Sequence, residues 1–151
     1  MSGHREEQTG GSVNEPRTWL EEIPVRRCIA LLDGSWLGRI ALDVGGHPEI
    51  FPVNHVVDRS DGSILFPTRV GTKLRAALDA PLVAFEVDGV DPIDGSGWSV
   101  LVVGAAEVER DPDVAAWATS WRAVPWAVSD ASTWIRIRPV RVTGRRISLV
   151  A

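Results

Sequence analysis

The chain has 151 residues and a mass of 16.4 kDa, and its 20 Asp and Glu against 16 Lys and Arg give a formal net charge of -4. A chain of this length, 44% hydrophobic, can build one domain with one substantial core. The acidic balance argues against a nucleic-acid partner, because no long basic face is available to attract a polyanion.

The single cysteine, Cys28, excludes an intramolecular disulfide and is typical of a protein from a reducing compartment. The start of the chain has no apolar core behind its charges, and the most apolar run, residues 99–106, is too short to span a bilayer. We therefore expect a cytoplasmic protein without a membrane partner.

Residues 1–16 are mostly Gly, Ser, Glu, Gln and Asn, which have little apolar surface to bury. This composition predicts a disordered N-terminal tail, followed by a single domain over residues 17–151. Thr18 and Glu21 have the spacing of a capping box and predict a short helix that Pro24 ends. A second helix is expected over residues 25–32, where Cys28 is one of several inward-facing apolar residues.

Alternation of apolar and polar residues predicts six strands, over residues 36–44, 49–58, 63–66, 82–87, 98–109 and 134–138. Gly45 and Gly46 predict a hairpin turn. Pro52 has no N–H to donate, so its position is expected at a sheet edge or a bulge, and Gly104 is typical of a bulge that helps to close a barrel. So many strands in so short a chain must hide their edges, which favours a mainly β fold: a closed, six-stranded antiparallel barrel with Greek-key character and short α-helices.

A helix is also expected over residues 111–121, with Asp111 as N-cap and Pro112 in the first position. Trp117 and Trp121 lie four residues apart on one face of it, and Trp126 follows. Packing in the core or in a dimer is the first interpretation of these rings.

The residues after the third strand carry an unusual charge pattern. Thr68 is a suitable N-cap for a helix that ends near residue 78, and Arg69, Lys73 and Arg75 begin it with no acid among them. A first helical turn normally favours Asp or Glu, because the helix dipole is positive there. Two interpretations stay open: a monophosphate site made by free N–H groups, these cations and a hydroxyl of Thr68 or Thr72, or a solvated basic turn that binds nothing.

Six short segments occur in the order found in one family. They are LGRIA at 37–41, FPVNH at 51–55, FPTRVGTK at 66–73, AFEVD at 84–88, GWSV at 97–100 and TGRR at 143–146. With them the chain resembles the pyridoxamine 5′-phosphate oxidase-like FMN-binding split-barrel proteins, in the small branch that includes nitroimidazole-reductase-like proteins.

The resemblance implies a homodimeric split β-barrel that binds FMN in a groove between subunits. It places Thr68, Arg69, Thr72 and Lys73 on the 5′-phosphate, and Pro52, Val53 and Asn54 along the isoalloxazine. Trp98 and Ser99 would add to the same groove, from the other subunit. A structural role also stays open for two of these side chains: Asn54 could bridge an irregular strand, and Trp98 could be ordinary barrel packing.

The implied function is an FMN-dependent oxidoreductase that passes a hydride or electrons to a small organic acceptor. One alternative is the 8-hydroxy-5-deazaflavin coenzyme, whose anionic tail could use the C-terminal arginines, and another is a non-catalytic module that binds flavin or haem. Residues 136–151 contain no His, so the substrate-phosphate grip of authentic pyridoxamine phosphate oxidases is missing and that activity is not expected. No catalytic residue can be named, and no metal site is expected, because no His, Cys and acidic residues have ligand spacing.

Overall fold

The computed structural model describes residues 17–121 and 133–150. The expected N-terminal tail and Trp126 lie outside the described residues. In chain order the elements are β1 (Arg17–Ile23), α1 (Val25–Gly34), β2 (Leu37–Val44), β3 (His47–Asn54), β4 (Val56–Asp58), β5 (Ser63–Thr68), α2 (Thr72–Asp79), β6 (Val83–Val90), β7 (Gly97–Val108), α3 (Pro112–Trp121) and β8 (Thr133–Val150).

All of the strands belong to one antiparallel sheet. Its order is β3-β2-β6-β7-β8-β5-β4, and β1 pairs with the second half of β8. The sheet curls until β3 contacts β5, so the structure is an incomplete, split barrel. The expected mainly β, antiparallel split-barrel architecture is confirmed. The described residues form eight strands rather than six, and the barrel is not the closed one that the strand count favoured, because β3 and β4 end the sheet without pairing with each other.

Two strand regions that the sequence did not predict, β1 and the second half of β8, pair with each other. Residues 18–23 are a strand and not the helix that the capping-box spacing predicts, because β1 pairs in register from Arg17 opposite Val150 to Ile23 opposite Gly144. Pairing over a whole strand outweighs a local capping signal, which contributes only about 1 kcal/mol. β8 runs for 18 residues instead of ending at residue 138, and its interior Pro139 and exposed arginines conceal the strand pattern.

The predicted strand over residues 49–58 is broken at His55. β3 before it pairs with β2, whereas β4 after it pairs with β5. The break is held by the backbone N–H of His55, which donates to the Trp36 carbonyl at 3.1 Å. The expectation for Pro52 is confirmed, since β3 is the last strand of the described sheet on its side.

Two glycine predictions are also confirmed. Gly45 and Gly46 have φ of 62° and 86°, which suits the tight turn between β2 and β3. The register of β7 against β8 shifts between Val103 and Gly104, as expected for a bulge. A Cβ on Gly104 would lie 2.2 Å from the carbonyl oxygen of Arg138, so no larger residue fits without a backbone shift.

The main core fills the inside of the curled sheet and the sides of α1 and α2 that face it. Its fully buried side chains include Leu32, Ile40, Phe66, Phe85 and Ile137. α1 packs on β8, β4 and β7, and α2 packs on β2 and β7. A smaller cluster of Val56, Leu65, Ala118 and Trp134 lies on the other face, under α3.

A buried arginine joins three parts of the barrel. Arg136 on β8 is 5% exposed, and its Nε donates to Glu109 Oε2 at 2.6 Å. Its Nη1 donates to Asp58 Oδ2 at 3.0 Å and to Asp61 Oδ2 at 3.5 Å. Arg138 adds bonds to Asp61 and to a glutamate of β7 on the surface. Salt bridges therefore connect the β4–β5 turn to β7 and β8.

Candidate functional site

The chain enters α2 through a short irregular segment, residues 69–71. Thr68 is the last residue of β5 and not the helix N-cap that the sequence predicts, because β5 stays paired with β8 as far as Thr133. The N-cap position is Gly71, and no side chain makes a capping hydrogen bond there. Thr68 is buried, and within the described residues its hydroxyl donates a single long bond, 3.4 Å, to the Arg69 carbonyl. The first N–H groups of α2 are therefore open to an anion.

Lys73 lies in the first turn of α2 with its ammonium group 5.4 Å from the centre of the Phe51 ring. The side chain is half-buried, and burial lowers its pKa from the ordinary lysine value. Within residues 17–121 and 133–150, no carboxylate lies within 4.0 Å of Lys73, nor of the exposed Arg69 and Arg75. Three cations with no carboxylate within 4.0 Å in the described residues thus lie in or next to the first turn of one helix.

The contact between Lys73 and Phe51 joins the two halves of the predicted cofactor site. Next to Phe51, Pro52 is exposed on the outer face of β3. Because no described strand pairs with the free edge of β3, alternate N–H and C=O groups along it have no partner in the sheet. The structure therefore places an open strand edge beside the cations of α2.

The next two predicted residues of β3 have structural tasks as well. Val53 is 6% exposed and packs in the main core, so only its backbone can face a ligand. Asn54 is 9% exposed, and its Nδ2 donates to the Trp36 carbonyl at 3.2 Å. This bond is the bridging role that the sequence left open for Asn54. Its amide oxygen accepts no hydrogen bond in the described residues and stays available as an acceptor.

Trp98 and Ser99 lie at the start of β7, three positions from β3 in the strand order. The Trp98 ring packs over Gly89, where a Cβ would lie 2.6 Å from the ring. Ser99 pairs with Asp88 on one side and Arg145 on the other. In the described residues neither side chain makes a hydrogen bond, ion pair or ring contact with α2, and the resemblance assigns their contribution to the other subunit of a dimer.

Two features of this region were not expected from the sequence. One is the contact of Phe51 with Lys73, for which the sequence offers no indication except that Phe51 stands next to Pro52. The other is a cleft of about 620 Å³ between α2 and the β2–β3 turn, lined among others by Asp43, Arg75 and Asp79. The i, i+4 spacing of Arg75 and Asp79 shows that they share a helix face, but the approach of the hairpin to that face depends on the tertiary structure.

None of the helices in the described part of the chain has the length and apolar run needed to cross a bilayer. The described residues also contain no group of three His, Cys or acidic side chains placed to hold a metal ion.

Comparison with known proteins agrees with this fold. A family model described as pyridoxamine 5′-phosphate oxidase matches residues 24–146. An uncharacterized protein of Mycobacterium tuberculosis is 38% identical over 134 residues, which are 85% of this chain and 84% of that protein.

Two solved structures have the same fold. The FAD binding protein from Mycobacterium smegmatis is 37% identical with a TM-score of 0.71, covering 85% of this chain and 98% of that one. A FAD-binding protein from Mesorhizobium loti has a TM-score of 0.73 at 22% identity, covering 87% of this chain and 99% of that one, which is a likeness in fold. The chain therefore belongs to the pyridoxamine 5′-phosphate oxidase family of split-barrel proteins.

Proposed function

We propose that the protein is a flavin-dependent oxidoreductase that holds the flavin phosphate at the start of α2 and the isoalloxazine along the free edge of β3. The observation that carries this proposal is Lys73, a half-buried cation with no carboxylate near it in the described residues. Its ammonium group lies 5.4 Å from the centre of the Phe51 ring, and Phe51 directly precedes the segment expected along the isoalloxazine, residues 52–54.

Burial of a cation without a counter-ion disfavours its charged form, and a bound phosphate removes that cost. A charge-assisted hydrogen bond of this kind contributes about 1.5–3 kcal/mol. Thr68 and Thr72 would add hydroxyl donors and Arg69 a second charge, next to the uncapped N–H groups of α2. The residues present therefore fit a phosphate monoester.

The same region fits a flat, polar-edged ring. The free edge of β3 offers backbone donors and acceptors around residues 52–54, and the amide oxygen of Asn54 is a further acceptor. Pro52 and the Val53 backbone can flank an aromatic surface without competing for hydrogen bonds. When bound, the flavin supplies hydride or electron transfer to a small organic acceptor, and the protein supplies position, shielding and tuning of the ring.

We further propose that a homodimer completes the site. The outer face of the sheet at this end carries exposed apolar residues, with Ile50 67% exposed and Leu37 38% exposed. Arg39 lies between them and pairs with Glu86 at 3.1 Å and Asp88 at 3.2 Å. A second copy on this face would cover the apolar surface and bring its own Trp98 and Ser99 to the groove. Light scattering should give the mass of a dimer, and a monomer that binds flavin at full affinity would overturn this part.

FMN and FAD share the isoalloxazine, the ribityl chain and the first phosphate, so the residues above would serve either. FMN is the expectation from the sequence, and the solved Mycobacterium smegmatis relative is described as FAD binding. A cytoplasmic location is part of the proposal, since a single cysteine excludes an intramolecular disulfide and is typical of a reducing compartment.

The test begins with the visible spectrum of the purified protein, with and without added FMN, FAD or the 8-hydroxy-5-deazaflavin coenzyme. We expect flavin absorbance and measurable affinity for FMN or FAD, followed by reduction with a nicotinamide donor and reoxidation by a nitroaromatic or quinone. Absence of flavin binding would refute the proposal. Preference for the deazaflavin coenzyme would favour the first alternative. Bound flavin that no nicotinamide donor reduces, without turnover, would favour a non-catalytic module.

A further inference from the structure

The outer face of the sheet carries an uncharged strip along β7. Val100 and Val102 are buried in the main core, so the alternating residues Ser99, Leu101 and Val103 lie on the opposite face, where they are half-buried. The described helices pack elsewhere, α1 and α2 against the main core and α3 against the smaller cluster. In the described residues this part of the sheet therefore has no layer over it.

Charges of opposite sign lie on the two sides of this strip. On the β6 side, Glu86 and Asp88 share the guanidinium of Arg39, which lies 3.1 Å from the first carboxylate and 3.2 Å from the second. Burial and the charge of Asp88 raise the pKa of Glu86, although Arg39 opposes both effects. One cation for two carboxylates leaves this side with an excess of negative charge.

The β8 side has the opposite excess. Arg141 and Arg145 are exposed and stand in register opposite Val103 and Ser99 of the strip. Within residues 17–121 and 133–150, no carboxylate lies within 4.0 Å of either guanidinium. Glu22 of β1 is the register partner of Arg145, so two arginines on this side stand beside one glutamate.

One row of the sheet combines both signs. Asp88, Ser99 and Arg145 are successive register partners across β6, β7 and β8. Register partners point to the same face, and neighbouring strands are about 4.8 Å apart, so the two charged residues stand at about equal distances on either side of β7. A two-fold rotation about an axis parallel to β7 lays the row of a second copy over this one in reversed order. Each aspartate then lies opposite an arginine.

Resting on the homodimer of the proposed function, we propose that the two-fold axis of the dimer runs along the outer face of β7 and that Asp88 of each copy forms an ion pair with Arg145 of the other. The uncharged strip then fills the centre of the interface and the charges surround it, as is usual in protein interfaces. A surface that complements itself after a two-fold rotation fits a second copy of this chain. The ion pairs select the partner and its register more than they add affinity.

Charge reversal tests this pairing, with light scattering of the protein without flavin as the measurement. Asp88→Lys and Arg145→Glu should each weaken the dimer about 100-fold or more, because two like-charge contacts replace two ion pairs. Mixing the two variants should restore a dimer with one chain of each kind, since every contact again joins a cation to a carboxylate. A chain that carries both substitutions should form a homodimer for the same reason.

The matched control is Arg26→Glu, which reverses an exposed arginine on α1. Since α1 packs against the main core and not on the outer face, this variant should keep the mass of the wild type. Circular dichroism of each variant shows whether it is folded. If a single variant does not fold alone, the chain with both substitutions decides: a folded dimer supports the pairing, and a folded monomer overturns it.

The outcomes separate this inference from the proposed flavin function. A dimer that survives both single reversals, or folded variants that stay monomeric when mixed, would overturn the inference while flavin binding by the wild type leaves the proposed function standing. The expected pattern of masses in a protein that binds no flavin would leave the interface standing and refute the function. A wild type that is monomeric with and without FMN would overturn both the inference and the proposed homodimer.

Discussion

Arg136 and Lys73 are two cationic side chains that are partly or fully buried, and they differ in whether carboxylates surround them. Arg136 on β8 has three carboxylates around it at 2.6–3.5 Å. The ammonium group of Lys73 on α2 lies 5.4 Å from the centre of the Phe51 ring, and no carboxylate of the described residues lies within 4.0 Å of it. Burial acts against the charged form of both side chains.

The pKa directions report this difference. Burial alone would lower the pKa of Arg136, but hydrogen bonds to Glu109 and Asp58 outweigh it and the pKa is raised. Burial lowers the pKa of Lys73 with nothing to oppose it. A cation that the chain neutralises serves the fold, whereas a cation that it leaves unneutralised indicates a place for an external anion.

The largest effect is expected from Arg136→Met. The change leaves Glu109, Asp58 and Asp61 without their shared partner, and breaking a buried pair in this way costs about 3–5 kcal/mol. Denaturant unfolding should show that loss in the free energy of unfolding, while flavin affinity of the folded protein is unchanged. The matched control is Arg138→Met, whose surface pairs should contribute less than about 1 kcal/mol. Equal losses in the two variants would contradict the structural role of Arg136.

Lys73→Met should have the opposite effects: lower flavin affinity without a loss of stability. Loss of one charge-assisted bond, about 1.5–3 kcal/mol, lowers flavin affinity about 10- to 100-fold. Because the lysine pKa is lowered in the folded chain, its charge opposes folding below that pKa, so the apoprotein should be at least as stable as the wild type. Calorimetry and thermal unfolding of the same sample measure both. An apoprotein that is strongly destabilised, with unchanged flavin affinity, would show that Lys73 is structural.

The smallest effect is a pH dependence of the Arg136 network. The Ser60 hydroxyl and, after it, Arg136 lower the pKa of Asp58. For Glu109, burial raises the pKa, but the Asp111 N–H and Arg136 outweigh it and the net direction is down. A carboxyl group whose pKa is lower in the folded than in the unfolded state stabilises the folded protein at pH values above its unfolded pKa, which is about 4. This stabilisation is lost as the pH falls through the folded pKa.

The difference in unfolding free energy between wild type and Arg136→Met should therefore shrink as the pH falls from 7 to 3. Urea unfolding at several pH values measures it. A difference that is constant with pH would mean that the carboxylates are not held ionised by Arg136.

Much of the barrel could be predicted because its signals are local. The Gly45–Gly46 turn, the bulge at Gly104 and the edge position of Pro52 each depend on the backbone chemistry of one or two residues. The missing strand β1 shows the limit of such signals. Thr18 and Glu21 have the spacing of a helix start, and only the pairing of this segment with β8 makes it a strand.

For the site, the sequence by itself determined the unusual charge of the segment that enters α2, because Arg69, Lys73 and Arg75 follow one another without an acid. The missing N–H of Pro52 also predicted its edge position. Only the tertiary structure decided that Lys73 contacts Phe51 and that Arg75 faces a cleft with Asp43. These are contacts between strands and helices distant in sequence, and the curl of the sheet brings them together or keeps them apart.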